Sequence, residues 1–214
     1  MKPSLAAFGI GSLDNFVKRF FEGMGRQRLK TLVELMKGVL QGRKLQVVNA
    51  ARTSCRPGAA PMEIWGRSKR FYRLLESAEW SLEDGAEQYR AYAAQRIDPE
   101  ELIVVDLGDV QKPASKKMPF LEYVHDGSED EIGRGYWLFE SCLVKSRRDI
   151  LPLHNFLYSL GDPDTPSENL VIQRGLQTIL DSTQGNGLFV MDRGFDRKEL
   201  YRWMDERNAR YLVR

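Results

Sequence analysis

The hydrophobic pattern of this chain changes at Asp98-Pro99, and the change limits the folds that are possible. Before this point, apolar residues recur every three or four positions, which is the spacing of amphipathic helices. After it, they form short consecutive runs, which are typical of buried strands. A chain of 214 residues has room for two such parts. We therefore predict an α/β protein with a helical region at 1–97 and a sheet-containing domain at 98–214.

Charge is distributed unevenly along the sequence. Residues 1–75 contain fifteen Lys and Arg against four acidic residues, a net charge of +11, whereas residues 76–214 have a net charge of −9. A basic helical segment favours a polyanion, because each neutralised phosphate releases counterions. Nucleic acid is therefore the expected partner of residues 1–97. The alternative is that ordinary surface helices carry these cations and lie against the acidic half.

Three helices are predicted in the basic region. The first follows the apolar stripe from Leu13 to Phe21 and the second the stripe from Leu29 to Leu40. A Pro- and Gly-containing loop at Cys55–Pro61 precedes the third. In the third helix we expect an apolar face toward a core, formed by Ile64, Phe71, Tyr72 and Leu75. Its cationic residues near the opposite face are candidate DNA contacts: Arg67, Lys69, Arg70 and Arg73.

Strands and helices alternate in the predictions for residues 98–214. Leu102–Val105 predicts a strand covered on both faces, because its apolar residues are consecutive. A polar connection leads to an acidic turn at Asp126–Glu131 and a long strand at Gly135–Val144. The remaining predictions are a return strand at Ile150–Leu157, a helix capped at Thr165 and ended by Gly185-Asn186-Gly187, a strand at Leu188–Met191, a helix capped by Asp196, and a strand at Tyr211–Arg214.

Composition excludes several classes of protein. No stretch approaches the roughly 20 apolar residues of a membrane helix. Cys55 and Cys142 are the only cysteines, so reduced thiols in a cytosolic protein are expected. With His125 and His154 as the only histidines, a zinc cluster is implausible, and we assign both a structural role. The absence of a glycine-rich phosphate loop weakens the hypothesis of an enzyme acting on a small phosphorylated substrate.

Two aspartates, Asp106 and Asp192, each directly follow a predicted buried strand. Carboxyl ends of neighbouring parallel strands converge on one edge of a sheet, so the two side chains are expected to share a site. Adjacent carboxylates repel unless a cation lies between them, and hard oxygen donors favour Mg²⁺ or Mn²⁺. Such a site suits metal-assisted phosphoryl transfer. The alternative is that each aspartate only caps the following turn.

The sequences around both aspartates resemble the motifs of bacterial insertion-sequence transposases with an Asp-Asp-Glu (DDE) triad. The first-aspartate region comprises Val105–Pro113, Lys116-Lys117-Met118, Asp126-Gly127-Ser128 and Gly135-Tyr136-Trp137. The second-aspartate motif is Met191–Asp196, followed by a helix and Tyr211–Arg214. Residues 1–97 are similar to the basic region that such transposases place before the catalytic core.

The resemblance implies a ribonuclease-H-like fold, a mixed sheet with flanking helices. It implies that Asp106 and Asp192 are the catalytic ligands of Mg²⁺ (or Mn²⁺), with Asp109 as a competing candidate for the first position. The implied reaction is DNA transposition: water attacks a phosphodiester at the element end, and the freed 3′-hydroxyl attacks target DNA. The implied partners are double-stranded DNA, at element ends and target, and a second copy of the chain. Nucleoid association in the cytoplasm follows from this partner.

The third acid of the family, a Glu on a later helix, is expected beyond Arg214. The catalytic core at 98–214 is therefore expected to be C-terminally incomplete and inactive alone. Two alternatives stay open. One is a non-catalytic DNA-binding remnant or regulator of a full-length transposase, and the other is a metal-dependent nuclease of the same fold.

Further cations near the two motifs have two interpretations each. Lys112, Lys116 and Lys117 are expected to flank the site on a loop, where they contact DNA phosphates or form an ordinary solvated charge run. Arg193 contacts the scissile phosphate or pairs with a nearby carboxylate. Trp137 and Trp203 are expected in the core rather than as base-stacking platforms.

Overall fold

A computed structural model describes residues 13–77, 82–126 and 131–214. These residues form a mixed α/β protein with seven α-helices and a mixed seven-stranded sheet. The chain divides into two compact units, Met1–Gln88 and Tyr89–Arg214. The division falls ahead of residue 98, where the hydrophobic pattern changes. Of the predicted acidic turn, residues 127–130 lie outside the described part.

In the described part of the helical unit there are four complete helices: α1 (Leu13–Phe20), α2 (Arg26–Gly42), α3 (Val47–Ser54) and α4 (Pro61–Leu75). A fifth, α5 (Leu82–Ala94), begins in this unit and ends in the next. The buried core of the helical unit is formed by Leu13, Val17, Leu32, Val33, Leu35, Ala50, Ala51, Phe71 and Leu74. Helix α3 was not predicted, because eight residues, half of them polar, are too short to establish a helical period.

Helices α2 and α3 approach each other closely at Gly38. A β carbon at Gly38 would fall on the backbone carbonyl of Ala50, with the carbonyl carbon only 2.8 Å away. Only glycine fits here without moving one helix. The contact explains why α3 is helical despite its weak pattern: it is held against α2 by Ala50 and Ala51, both fully buried.

Helix α4 begins at Pro61 as predicted, with proline in its first turn. Phe71 is fully buried, but Tyr72 and Leu75 are exposed, and Leu74 is buried in their place. The prediction that Tyr72 and Leu75 face the core is therefore wrong. The core stripe runs through Ser68, Phe71 and Leu74. Each residue of a helix turns by about 100°, so the positions next to Phe71 and Leu74, which are Tyr72 and Leu75, point away from the core.

The sheet unit contains seven strands. They are β1 (Leu102–Gln111), β2 (Glu122–Asp126), β3 (Glu131–Ser146), β4 (Asp149–Pro152), β5 (Phe156–Tyr158), β6 (Leu188–Met191) and β7 (Tyr211–Val213). The strand order is β2-β3-β1-β6-β7, and β4 and β5 also pair with β3. β1 is antiparallel to β3 and parallel to β6, which is parallel to β7. The predicted long strand and the last two strands are confirmed. The predicted return at Ile150–Leu157 is divided into β4 and β5, with residues 153–155 outside both strands, and β2 was not predicted.

Two helices follow the antiparallel strands, with α6 (Glu168–Thr183) between β5 and β6 and α7 (Lys198–Asp205) between β6 and β7. Both were predicted, but not with these caps. The Ser167 hydroxyl, not Thr165, accepts the capping hydrogen bond of α6, from the Leu170 amide at 3.4 Å. Asp196 accepts a hydrogen bond from the Tyr201 hydroxyl instead of capping α7.

The two faces of the sheet differ. Odd-numbered residues of β1 and β6 are buried on one face, for example Ile103, Val105 and Phe189. Helix α6 packs on this face at Gly175, where a β carbon would stand 2.8 Å from the Phe139 ring. On the other face, Leu102 is 39% exposed. Val104 and Val190 on this face are only partly buried, so β1 is less covered there than predicted, and the predicted aspartates lie on this more open face.

Candidate functional site

Asp106 and Asp192 occupy equivalent positions on adjacent parallel strands. In the β1–β6 ladder, Val104 pairs with Val190 and Val105 with Met191. Asp106 is the residue after Val105, and Asp192 is the residue after Met191. Neighbouring strands lie about 4.8 Å apart, and residues at one level of a parallel pair point to the same face. Both side chains are exposed. The structure thus brings the two predicted aspartates to one level of one face.

The two aspartates sit differently in their strands. Asp192 directly follows β6, as predicted. Asp106 lies in the middle of β1, so the prediction that it ends a strand is wrong. The cause is β3, which pairs with β1 continuously as far as Gln111 and keeps the polar residues after Asp106 extended. The second half of β1 has no hydrophobic pattern that would predict a strand, because it is held in a strand by its pairing with β3.

Each aspartate uses one carboxylate oxygen for its own backbone. Asp192 Oδ1 accepts a hydrogen bond of 2.8 Å from the Gly194 amide and caps a 3-10 turn at Arg193–Phe195. Asp106 Oδ1 accepts one of 2.9 Å from the Leu107 amide. Among the described residues, nothing donates to the second oxygen of either aspartate. The capping role foreseen as an alternative is therefore real for Asp192, and it leaves Oδ2 available to a ligand.

The turn after Asp192 is fixed by Gly194 and Arg197. A β carbon at Gly194 would stand 3.0 Å from Asp192 Oδ1, so a larger residue would crowd the carboxylate. Arg197 Nε donates to the Gly194 carbonyl at 3.0 Å, and its guanidinium also reaches Glu168 at 2.5 Å and Asn169 at 2.6 Å. Arg197 therefore ties this turn to the start of α6. It was not predicted, because it lies one residue beyond the second-aspartate motif, Met191–Asp196.

A third carboxylate, Glu140, stands directly across from Asp106 in the β1–β3 ladder. Residues paired in this way share a face, so Glu140, Asp106 and Asp192 form a row across three adjacent strands. Gly108 leaves room beside it: Glu140 Oε2 lies 3.8 Å from where a β carbon at Gly108 would stand. Sequence reasoning missed Glu140, because only the pairing register reveals its position. Like charges at neighbouring positions destabilise a sheet, so the row favours a bound cation.

The donor set fits Mg²⁺ or Mn²⁺ in one particular way. Within residues 13–77, 82–126 and 131–214, no three His, Cys, Asp or Glu side chains converge closely enough to hold a metal ion. Mg²⁺ is usually held by one or two carboxylates, keeps several waters and binds substrate phosphates. Asp106 and Asp192 supply that number of hard oxygen donors. The pair therefore suits an ion completed by water and phosphate rather than a closed protein cage.

Asp109, the competing candidate, is on the wrong face. It pairs with Trp137 in the β1–β3 ladder, three residues beyond Asp106. Because successive side chains alternate between faces, residues three apart on a regular strand point to opposite sides. Asp106, and not Asp109, therefore shares a face with Asp192.

Of the cations predicted to flank the site, Arg193 lies next to an aspartate, whereas the three lysines lie beyond the end of β1. Lys112 follows the end of β1, six residues beyond Asp106, which is about 20 Å along the strand. Lys116 and Lys117 come after it in an exposed loop. The expectation that these lysines flank the aspartates assumed a strand ending at Asp106 and is not met for Lys112. Arg193 is exposed next to Asp192 and forms no ion pair with the described carboxylates.

The four cations of α4 are also unequal. Arg67 donates to the Ser54 carbonyl at 2.6 Å and lies 3.8 Å from Glu34, which is also 3.9 Å from Arg70. Lys69 Nζ lies 3.6 Å from the centre of the Trp65 ring. Arg73 is exposed. Arg67 and Arg70 are thus partly neutralised within the protein, whereas Lys69 and Arg73 keep their charge toward solvent.

Comparison with known proteins does not assign the chain to a family. No protein-family profile matches the sequence, and no curated protein is significantly similar to it. None of the described helices is long and apolar enough to cross a membrane. Both cysteines are free thiols. The geometry of the site is therefore the basis for a functional assignment.

Proposed function

We propose that this chain belongs to the class of metal-dependent phosphoryl-transfer proteins. The observation that carries the proposal is the register of β1 and β6, which aligns Asp106 with Asp192 on one open face. Within that class we propose a DDE transposase, which binds the DNA at element ends and contributes these two aspartates to cleavage and strand transfer. The motif resemblance around both aspartates is the reason for choosing this member of the class.

The arrangement of the sheet supports a ribonuclease-H-like fold for residues 98–214. Antiparallel strands β1, β3, β4 and β5 come first, then α6, and then β6 and β7 parallel to β1. This order places β1 at the centre, between its antiparallel partner and β6. The resemblance implies aspartates at the ends of the first and fourth strands of such a core; Asp106 lies in β1, and Asp192 directly follows β6, the first strand after it that is parallel to β1.

The proposed chemistry divides between the ion and the protein. A bound Mg²⁺ would supply Lewis acidity toward a phosphate oxygen and lower the pKa of a coordinated water. Asp106 and Asp192 hold the ion through the oxygens that their backbone hydrogen bonds leave available. Arg193, exposed beside Asp192, binds the phosphodiester. Arg197 acts as a positioning residue, since it fixes the turn that carries Asp192.

DNA binding is assigned to the helical unit. Its share of the sequence up to residue 75 has a net charge of +11, and Lys69 and Arg73 keep their charge toward solvent on α4. Such a surface attracts a polyanion with an affinity that falls as salt rises. We propose that two copies of the chain act together on paired element ends.

Mn²⁺ binding to single-site variants tests the metal assignment. Asp106→Asn and Asp192→Asn should each abolish Mn²⁺ binding, measured by electron paramagnetic resonance or calorimetry, because each removes one of two charged ligands. Asp109→Asn is the matched control, since it makes the same change on the same strand but on the opposite face. Unchanged Mn²⁺ affinity in both Asp106→Asn and Asp192→Asn would contradict the proposal, provided that circular dichroism shows intact folding.

A metal-dependent nuclease of the same fold is the second candidate, and Glu140 favours it. A nuclease needs its ligands within these residues, and Glu140 stands across from Asp106 on the same face, although among the described residues it does not converge with Asp106 and Asp192 into a three-carboxylate metal site. The candidate predicts that a labelled DNA duplex is nicked in Mn²⁺ without joined products, and that Glu140→Gln removes the nicking. Joined products, or nicking that survives Glu140→Gln, would favour the transposase instead.

A further inference from the structure

Two large aromatic side chains on α4 are exposed, and one of them, Tyr72, was predicted to face the core. Trp65 is 55% and Tyr72 45% exposed. They are seven residues apart, which puts them on one face of the helix about 10 Å from each other. Together with Val48 and Arg52 of α3 and Lys69 of α4 they line a cavity of about 500 Å³, here called the α3–α4 groove.

The charge of the α3–α4 groove has one sign. Arg52 lies on its α3 side, and Lys69 on its α4 side holds its ammonium 3.6 Å from the centre of the Trp65 ring. None of the described residues that line the groove is acidic. Two acidic residues of the helical unit have partners outside the groove: Glu34 of α2 lies within 4 Å of Arg67 and Arg70, and Glu63 of α4 lies 3.7 Å from Arg56.

Exposed aromatic rings between cations match the chemistry of unpaired nucleotides. Proteins that bind single-stranded nucleic acid combine a basic groove with aromatic side chains on which bases stack. A duplex offers phosphates to such a surface but keeps its base faces inside the helix. A protein partner would need acidic side chains placed at both Arg52 and Lys69, whereas every nucleotide carries a phosphate next to its base. The charge of the groove therefore favours DNA with exposed bases.

We propose that the α3–α4 groove binds unpaired nucleotides, with bases stacked on Trp65 and Tyr72 and phosphates at Arg52 and Lys69. The inference rests on the proposed function only in that DNA is the partner. It adds a recognition mode that duplex binding does not require. Unpaired bases occur wherever an element end is opened or frayed, so the groove reads the state of the DNA and not only its charge.

Oligonucleotide binding to aromatic variants tests the proposal. The probes are a fluorescent 15-nucleotide oligothymidine and a hairpin duplex of equal charge, followed by fluorescence anisotropy at several salt concentrations. Trp65→Leu and Tyr72→Leu keep apolar bulk but remove the stacking face, and each should weaken single-strand binding by about 5- to 100-fold. Trp65→Phe should retain most of the affinity. Duplex binding should change little in all three variants.

A matched control and three further outcomes decide the interpretation. Leu40→Ala, which truncates an exposed apolar residue of α2 in the same unit, should leave both probes unaffected. Normal duplex binding together with unchanged single-strand affinity in Trp65→Leu would overturn the stacking proposal alone. Absence of binding to either probe by the intact chain would remove the proposed DNA partner itself. A change of oligomeric state in Trp65→Leu, with DNA affinity unchanged, would identify a protein-docking surface and overturn the proposal.

Discussion

Both units of the molecule depend on a glycine where a helix comes unusually close to its neighbour, but the neighbours differ. In the helical unit, Gly38 of α2 faces the backbone of Ala50 in α3. In the sheet unit, Gly175 of α6 faces the ring of Phe139 in β3. A backbone carbonyl moves only with its helix, whereas a ring moves by rotating about its own bonds. The helical unit is therefore expected to be the less tolerant of added volume.

Replacing Gly38 tests the stronger half of this comparison. A methyl group at Gly38 must push α3 away from α2, because the atoms that it meets are backbone atoms. We expect Gly38→Ala to lower the free energy of unfolding by about 3 kcal/mol, at the upper end of the usual cost of overpacking. Urea unfolding followed by circular dichroism measures this effect.

Gly66 is the matched control for Gly38. It lies inside α4 of the same unit, and a β carbon there would meet nothing within 4 Å. Gly66→Ala should therefore raise the free energy of unfolding by about 0.5–1 kcal/mol, because alanine restricts the unfolded chain and favours helix. Equal effects of the two substitutions would contradict the close approach of α2 and α3.

Replacing Gly175 tests the weaker half. A β carbon at Gly175 meets the Phe139 ring at 2.8 Å, and that ring is fully buried, so it has little space in which to turn. Gly175→Ala should lower the free energy of unfolding by about 1–2 kcal/mol, since part of the overpacking cost is offset by helix propensity. The same urea titration measures it.

A double variant shows whether the Phe139 ring is the cause. Phe139→Leu removes the atoms that clash, so the cost of Gly175→Ala should be smaller in that background than in the native chain. The difference between the two costs is a coupling energy between contacting residues. Additive effects would mean that α6 does not approach the sheet at this point.

The sequence allowed elements with a strong local pattern to be predicted. The apolar stripes of α2 and α6 and the apolar runs of β1 and β6 are local signals, and so is the aspartate that follows each run. The features that could not be predicted depend on partners distant in the sequence. β2 and the second half of β1 are strands because β3 pairs with them, and α3 is buried because Gly38 admits it.

The residues of the candidate site also fall into two groups, those predicted from local sequence and those revealed only by contacts with distant parts of the chain. Asp106 and Asp192 were found from sequence, because both follow apolar runs. Glu140 is recognised only from the β1–β3 register, and Arg197 only from its bonds to Gly194 and Glu168. The distance of Lys112 from the site was misjudged for the same reason. Where β1 ends is decided by its pairing with β3.

Mild acid should destabilise the sheet unit but not the helical unit. Residues 1–88 contain no histidine, whereas the sheet unit holds His154. Burial and the neighbouring Arg90 guanidinium lower the pKa of His154 to about 4, from an ordinary value of 6.5. Arg90 Nη1 lies 3.3 Å from His154 Nδ1, and because arginine only donates, that nitrogen must be an unprotonated acceptor. These contacts fit the structural role predicted for His154.

The sign of the pH effect follows from that shift. Between pH 6.5 and 4 the unfolded chain binds a proton at His154 that the folded chain does not, so stability contributed by neutral His154 is complete above pH 6.5 and is lost toward pH 4. Hydrogen exchange measured by mass spectrometry at pH 7 and pH 5, corrected for intrinsic rates, should show lost protection in residues 139–191 but not in residues 26–75. His154→Gln, which keeps an acceptor for Arg90 without a titrating ring, should remove the difference. His125→Gln, at an exposed position of β2, should preserve it, and equal loss of protection in both units would show that His154 does not distinguish them.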